Sequence, residues 1–478
     1  MYIIDAFRRL IESGANKSLT EKEFFELEIA RWKYSPERLD QFTGERYYLG
    51  KHDVLQRKRT ALGEGGELIT LGNLPNNRIV DNQYARCVNQ KVAYLLSKPI
   101  TFESENKEYA DALKKFFKKR HMNTLKRGGV DALNGGLFWL YVYYNEEGQL
   151  DFRKFKPFEI LPFWKDSDHT KLDCAIRLYE VEQYDGKHRK TVEKVEIFKN
   201  TGIERYELVN GRLIEDVENP HSNYAYIGEQ GFNWSRIPPI AFKFNSFELP
   251  LIKRVKGLQD ALNVMLSDLM NNLQEDNRNT ILVIKNYDGE DLSEFRKNLS
   301  TFGAVKVKTI DGADGGIDTL KVEVNAQNYD LIFKLLKKAI VENARSFDAK
   351  DERMGSNVNE MNLKSMYADI DLDADDMEAE FQDAFDQLLF FINAALGYEE
   401  QDVRITFNRD MIVNESQVIQ DLVALGIRVP NKLLLEQLPF INNVKEAVEL
   451  LKKEENEEAD RPYDGAFDAP QNNLNLNK

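Results

Sequence analysis

One apolar seam limits what this chain can fold into. In LPLIKRVKGLQDALNVMLSDLMNNLQED, Leu251, Val255, Leu258, Leu262, Met265 and Leu269 recur at intervals of four and three. That spacing predicts a long helix with a narrow stripe, packed on one or two neighbours. A second stripe follows in NYDLIFKLLKKAIVENARS, where Tyr329, Ile332, Phe333, Leu336 and Ile340 share a face. Between the two lies a strand–helix–strand unit. NTILVIKNYDG reads as strand and turn, EDLSEFRKNLSTFG as a short helix, and AVKVKTID with DTLKVEV as strands. A small module held between two long helices points to the α+β class.

The flanks differ in texture. Residues 1–75 carry charged helical patterns and a glycine-rich loop, LGEGGE at Leu62–Glu67. NNRIVDNQYARCVNQKVAYLLSKPITF, Asn76–Phe102, reads as an amphipathic helix, since Tyr84, Val88, Val92 and Leu95 stack on one face. Pro99 ends it, having no N–H to donate. EYADALKKFFKKRHMNTLKRGGVDALNGG reads as a second helical block closed by Gly135 and Gly136. Its basic residues, Lys114, Lys115, Lys118, Lys119, Arg120, Lys126 and Arg127, read as a solvated face. Leu137–Asn245 then alternates, favours β-formers and contains the turns DGK and NGR, so it reads as one antiparallel β-rich domain.

Beyond the second seam, SFDAKDERMGSNVN (Ser346–Asn359) is a polar loop. A very long helix follows, with Asn359 placed to cap its start and Gly397 its end. DVRITFN is a lone strand, short helices divided at Gly426, Pro430 and Pro439 come next, and the Asn-rich tail from Arg461 reads as disordered.

Motifs that carry chemistry are scarce in the chain. There is no Walker-type phosphate loop, no G-x-G-x-x-G, no H-E-x-x-H and no G-x-S-x-G, so no cofactor and no catalytic set are expected. The two cysteines, Cys87 and Cys174, are far apart and form no metal motif, which suits a reducing compartment. No apolar run reaches the ~20 residues of a membrane helix. A net charge of −15 disfavours tight, general binding of duplex DNA. One acidic stretch has the spacing of a calcium loop: Asp369, Asp371, Asp373, Asp375 and Glu380 occupy positions 1, 3, 5, 7 and 12. Ala374 stands where the sharp-turn glycine belongs, and apolar residues continue a helical spacing through the segment, so an acidic helix face is the simpler reading. A metal-dependent nuclease using Asp369–Glu380 is the alternative function. A scaffold of independent β and helical domains is a third.

Several stretches resemble the portal proteins, or head-to-tail connectors, of tailed bacteriophages of the siphophage type. They are YYLGKHDVLQRKR with the Asn76–Phe102 segment, IPPIAFKFN leading into IKRVKGLQDALNVMLSDLMNNLQ, and PNKLLLEQLPFINNVKEAVELLKKEENE. The likeness runs from Tyr47 to Glu458. Each match is loose; their number and order carry it. The resemblance implies a portal fold: a wing over residues 1–245, a first stem helix over 246–276, a clip over 277–324 and a second stem helix over 325–345. It implies further a tunnel loop over 346–359, a long wing helix broken near Leu372–Asp375 with a returning strand over 360–411, and a crown over 412–460.

It also implies a ring of about twelve copies at one capsid vertex of the virion, built in the host cytoplasm. Such a ring passes double-stranded DNA without reading sequence and docks the terminase packaging motor, then head-completion and adaptor proteins, beside capsid and scaffolding proteins. By the same resemblance, Lys350, Arg353 and Asn357 would face DNA from the tunnel loop. Lys334, Lys337 and Lys338 would form a basic belt in the channel or at the outer collar. Arg278, Lys285, Glu290, Arg296 and Lys297 would dock partners on the clip.

Overall fold

The computed structural model describes residues 20–62, 66–70, 72, 74–276, 281–285, 316–320, 326–348, 360–409 and 444–459. Its helices there are α1 (Glu21–Trp32), α2 (Pro36–Tyr48), α3 (Gln83–Leu96), α4 (Lys107–Phe116), α5 (Lys119–Gly135), α6 (Ile252–Asp276), α7 (Ala326–Asn343), α8 (Glu360–Leu396) and α9 (Val444–Ala459). The strands are β1 (Thr60–Leu62), β2 (Leu68–Thr70), β3 (Thr101–Glu103), β4 (Leu137–Tyr144), β5 (Leu150–Phe155), β6 (Ile160–Trp164), β7 (Leu172–Asp185) and β8 (His188–Lys199). They continue with β9 (Gly202–Val209), β10 (Arg212–Glu215), β11 (Ala225–Ile227), β12 (Gln230–Phe232), β13 (Pro239–Lys243), β14 (Ile281–Lys285), β15 (Gly316–Leu320) and β16 (Arg404–Thr406). The class is mixed α+β. The chain divides into two compact units, Met1–Asp351 with Met366–Asp410, and Glu352–Ser365 with Met411–Lys478. In the second, α9 and the first residues of α8 are described.

The first unit is layered around two antiparallel sheets, one ordered β10-β9-β8-β7-β6 and one ordered β13-β4-β5. Strand alternation sorts their side chains. Cys174, Ile176 and Leu178 of β7 meet Phe24, Phe25, Ile29 and Trp32 of α1. Ala175, between them, turns the other way, toward Trp139, Tyr141 and Phe155 of the three-stranded sheet. The far side of that sheet carries Phe138 and Phe242, whose rings lie 6.0 and 5.1 Å from Phe381 of α8. The β7–β8 hairpin turns at Gly186-Lys187, and β9–β10 turns at Asn210-Gly211. Both of the latter residues have positive φ, 50° and 78°, as a type I′ turn demands.

Helix starts follow local chemistry. Thr20 and Glu23 form a reciprocal capping box ahead of α1, and the Ser35 hydroxyl accepts the Arg38 N–H ahead of α2, with Pro36 at the first helical position. Helix α2 crosses α5 so closely that a Cβ on Gly44 would lie 1.9 Å from the Asn134 carbonyl oxygen. Only glycine fits there.

Three expectations need correction. The 107–136 block is two helices, α4 and α5, separated at Phe117 and Lys118. The strand DVRITFN is not alone: β16 pairs antiparallel with β3, Ile405 opposite Phe102. And the Asn76–Phe102 helix begins only at Gln83, with the Asn82 side chain accepting the Ala85 N–H.

The segment before Asn82 is extended because α6 offers it a better set of partners. Gln259, Asn263, Ser267 and Asn271 are buried and stand four residues apart, in one row along α6. The row accepts four backbone N–H groups: Asn77 onto Asn271 at 2.7 Å, Ile79 onto Ser267 at 2.9 Å, Asp81 onto Asn263 at 3.0 Å and Tyr84 onto Gln259 at 3.0 Å. Gln259 returns a bond to the Asp81 carbonyl at 2.7 Å. Asn263 also donates to His52 Nδ1 at 2.7 Å, which leaves the His52 Nε2–H to donate to the Tyr47 carbonyl at 3.0 Å. Replacing Asn263 with leucine strands the Asp81 N–H away from water, at a cost of about 1–3 kcal/mol. Chemical denaturation should show that loss, and the 77–81 amides should exchange hydrogen faster.

Candidate functional site

The region the resemblance singles out begins where α7 ends. Helices α6 and α7 pack side by side, with Asn272 of α6 donating to the Tyr329 hydroxyl of α7 at 3.5 Å. After α7 the chain turns at Arg345, whose φ is 48°. Residues 345–348 are then held by α3. Lys91 Nζ donates to the Arg345 carbonyl at 2.7 Å, Gln90 to the Phe347 carbonyl at 2.9 Å, and Arg86 to Asp348 at 3.0 Å. The Phe347 ring stacks on Tyr367 of α8 at 5.0 Å, and Tyr367 stacks on Tyr94 of α3 at 5.4 Å.

Under this clamp lies a buried charge cluster. Asp373 of α8 is 2% exposed. Lys91 Nζ reaches it at 2.8 Å, Arg254 of α6 at 2.7 and 3.0 Å, and Arg345 at 3.0 Å. One carboxylate thus joins α3, α6, the end of α7 and α8. Burial by itself raises the Asp373 pKa, but the charges and hydrogen bonds of Lys91 and Arg254 outweigh it and hold the carboxyl below its ordinary value. One turn away, Arg409 bridges Asp371 at 2.8 Å and Glu378 at 2.9 Å and also pairs with Asp375, while the Tyr94 hydroxyl donates to Asp371.

These contacts replace the metal reading of Asp369–Glu380. The segment is one uninterrupted helix, so positions 1 and 12 of the supposed loop are spread along about 16 Å of axis and cannot close on one ion. Asp371, Asp373 and Asp375 already have cationic partners, and among the described residues no group of His, Cys, Asp or Glu is arranged to hold a metal. The expected break near Leu372–Asp375 is absent for the same reason. With Ala374 packed inside and the carboxylates on either side neutralised by arginine and lysine, nothing there favours leaving the helix.

The other anticipated residues fall as follows. Lys334, Lys337 and Lys338 all lie on α7, and each has a carboxylate partner: Asp330 at 2.6 Å, Asp81 at 2.8 Å and Glu342 at 3.8 Å. Lys337 thereby adds a tie to the extended segment. Lys285 ends β14, opposite Gly316 of β15. Arg278, Glu290, Arg296, Lys297, Lys350, Arg353 and Asn357 lie outside the described residues, as do most of the expected crown and the Asn-rich tail. Sequence reasoning did not find Lys91, Arg254, Arg345 or Arg409, which stand far apart in the chain. It did pass over a legible signal, the amide and hydroxyl row at four-residue spacing on α6.

The cluster predicts its own acid sensitivity. A carboxyl held low stabilises the fold above the ordinary carboxylate pKa of about 4, and that contribution is lost as pH falls through the lowered native value. Asp373→Asn leaves Lys91 buried without its counter-charge and should cost about 3–5 kcal/mol at neutral pH. The variant's stability should also fall less steeply below about pH 4 than that of the parent. Urea midpoints across a pH series check both.

The family described as phage portal protein, SPP1 Gp6-like, matches residues 31–461. The chain is 26% identical over 463 residues to the portal protein of Bacillus phage SPP1, covering 94% of this chain and 90% of that one. It is 26% identical over 436 residues to the portal protein of Clostridium phage phiCD119, covering 87% of this chain and 93% of that one. With a match that runs nearly end to end, the chain belongs to the SPP1 Gp6-like family of phage portal proteins.

Proposed function

We propose that this chain is the repeating subunit of a ring at one vertex of a phage head, acting as the conduit for double-stranded DNA during packaging and ejection. The observation that carries the reading is the family match over residues 31–461, which spans every element described here except most of α1. The nuclease alternative loses its ground, since Asp371, Asp373 and Asp375 at the centre of its cluster are already paired with lysine and arginine.

The architecture suits a passive conduit. Helices α6 and α7 act as the stem, and the hairpin strands β14 and β15 belong to a clip between them that docks the packaging motor and then head-completion proteins, with Arg278, Lys285, Glu290, Arg296 and Lys297 as docking residues. Residues 346–359 act as the tunnel loop. Its base at 345–348 is anchored on α3 and α8, so a push on the loop passes into the wing and not into the loop alone. Lys350 and Arg353 touch phosphate, with Asn357 as a neutral contact, which gives sequence-independent and salt-sensitive interaction. Repetition around the ring multiplies these few charges, and the acidic balance of the chain keeps the rest of the channel from holding DNA. The energy for movement comes from the docked motor.

Two measurements test this. The subunit is 55.4 kDa, so a ring of about twelve should weigh roughly 660 kDa by light scattering and appear as an annulus under negative stain. Lys350→Ala combined with Arg353→Ala should leave that mass unchanged and lower the yield of DNA-filled heads several-fold. Unaltered yield would remove the loop from the mechanism.

A further inference from the structure

The β7–β8 hairpin extends well past the sheet that carries it. Strand β6 covers β7 only as far as Arg177, and β9 covers β8 only from Lys194. The ladder itself continues to Asp185 opposite His188. Past Val192 the residues from Glu182 to Thr191 are exposed wherever their side chains are described, and Tyr184 is 73% exposed. A free two-stranded ribbon is only marginally stable in water, so one that reaches about 13 Å beyond its last buried residue calls for a partner. Its tip is basic: Lys187, His188, Arg189 and Lys190 against one carboxylate, Asp185. Arg189 pairs with Glu182 along the ribbon, whereas Lys187 and Lys190 form no ion pair among the described residues.

A groove of opposite charge lies elsewhere on the same unit. At the C-terminal end of α8 a cleft of about 680 Å³ is lined by Asp386, Tyr398, Glu400 and Asp402, with Arg236 the single cation among its lining residues. Arg236 is turned onto the Phe390 ring at 4.3 Å. No ion pair engages Asp386, Glu400 or Asp402 among the described residues. Burial, then repulsion from Asp383, Glu400 and Asp402, raises the Asp386 pKa, as expected of a groove short of positive charge.

We infer that the β7–β8 ribbon is an intersubunit arm whose basic tip seats in the acidic groove at the end of α8 on a second copy of this chain. The inference rests on the ring reading and names one of its contacts. Tip and groove are different surfaces, so the contact is head-to-tail, the type that closes a ring. Charge complementarity selects the occupant: the chain is acidic as a whole, and this tip is a basic projection on it.

Cysteine cross-linking of the full chain tests it, because Cys87 and Cys174 are both buried and give little background. Lys187→Cys chains and Asp402→Cys chains are mixed in equal amount, assembled, and treated with a short bis-maleimide. The expected result is a covalent dimer from the mixture and none from either variant alone. Lys187→Glu with Lys190→Glu should weaken assembly about tenfold, and mixing with Asp386→Lys, Asp402→Lys chains should restore it. Rings of parental mass with no mixed cross-link overturn the arm and leave the portal reading intact. A parent chain that stays monomeric at every concentration overturns both.

Discussion

A carboxylate cut off from water has to be answered by positive charge, and the arrangement of this fold around Asp373 follows from that requirement. Three cations converge on it, one from α3, one from α6 and one from the turn after α7. Replacing such a cluster with apolar groups can be neutral or stabilising, but removing a single member is costly. The cluster therefore matters less for net stability than for position. The carboxylate meets all three cations in one arrangement, and small displacements leave a buried charge uncompensated. This fixes α6 and α7 relative to the long helix α8.

The layers above the cluster are ordinary by comparison. Two antiparallel sheets share a core of Trp139, Tyr141, Phe155, Ala175 and Phe198. One outer face is closed by α1 and the other by α8. Helix α8 has two jobs along its length: Phe381 and Phe385 complete a core, and Asp373, two turns earlier, gathers charge. The switch from aromatic to acidic composition along one helix marks where contact with the β-rich layers gives way to contact with α3 and α6.

Much of this was legible in the sequence, and what was missed has common causes. The helices α6 and α7, the type I′ turn at Asn210-Gly211 and the antiparallel strands after Leu137 are set by local periodicity and turn chemistry, which neighbouring residues reveal, although Ile332 of the expected α7 face is exposed and the most deeply buried row on α6 is polar. The start of α3 was misjudged because the competing partners lie about 190 residues away on α6, and tertiary hydrogen bonds overrode helical pattern in Asn77–Asp81. The acidic run on α8 was readable as a calcium loop only while Lys91, Arg254, Arg345 and Arg409 were out of view. Charges paired across the fold leave no local trace.

The row on α6 carries one more implication. Rungs four residues apart on a helix are about 6.0 Å apart, while alternate amides of an extended chain are spaced about 6.8 Å. The two scales run against each other like a vernier. Each rung adds nearly 1 Å of mismatch, and after three rungs the slack of a hydrogen bond is consumed. The row is thus self-limiting. The chain must shorten its rise near the fourth rung, and Tyr84, which makes that rung, is already in α3. The spacing of four polar side chains on one helix acts as a ruler that decides where another helix begins.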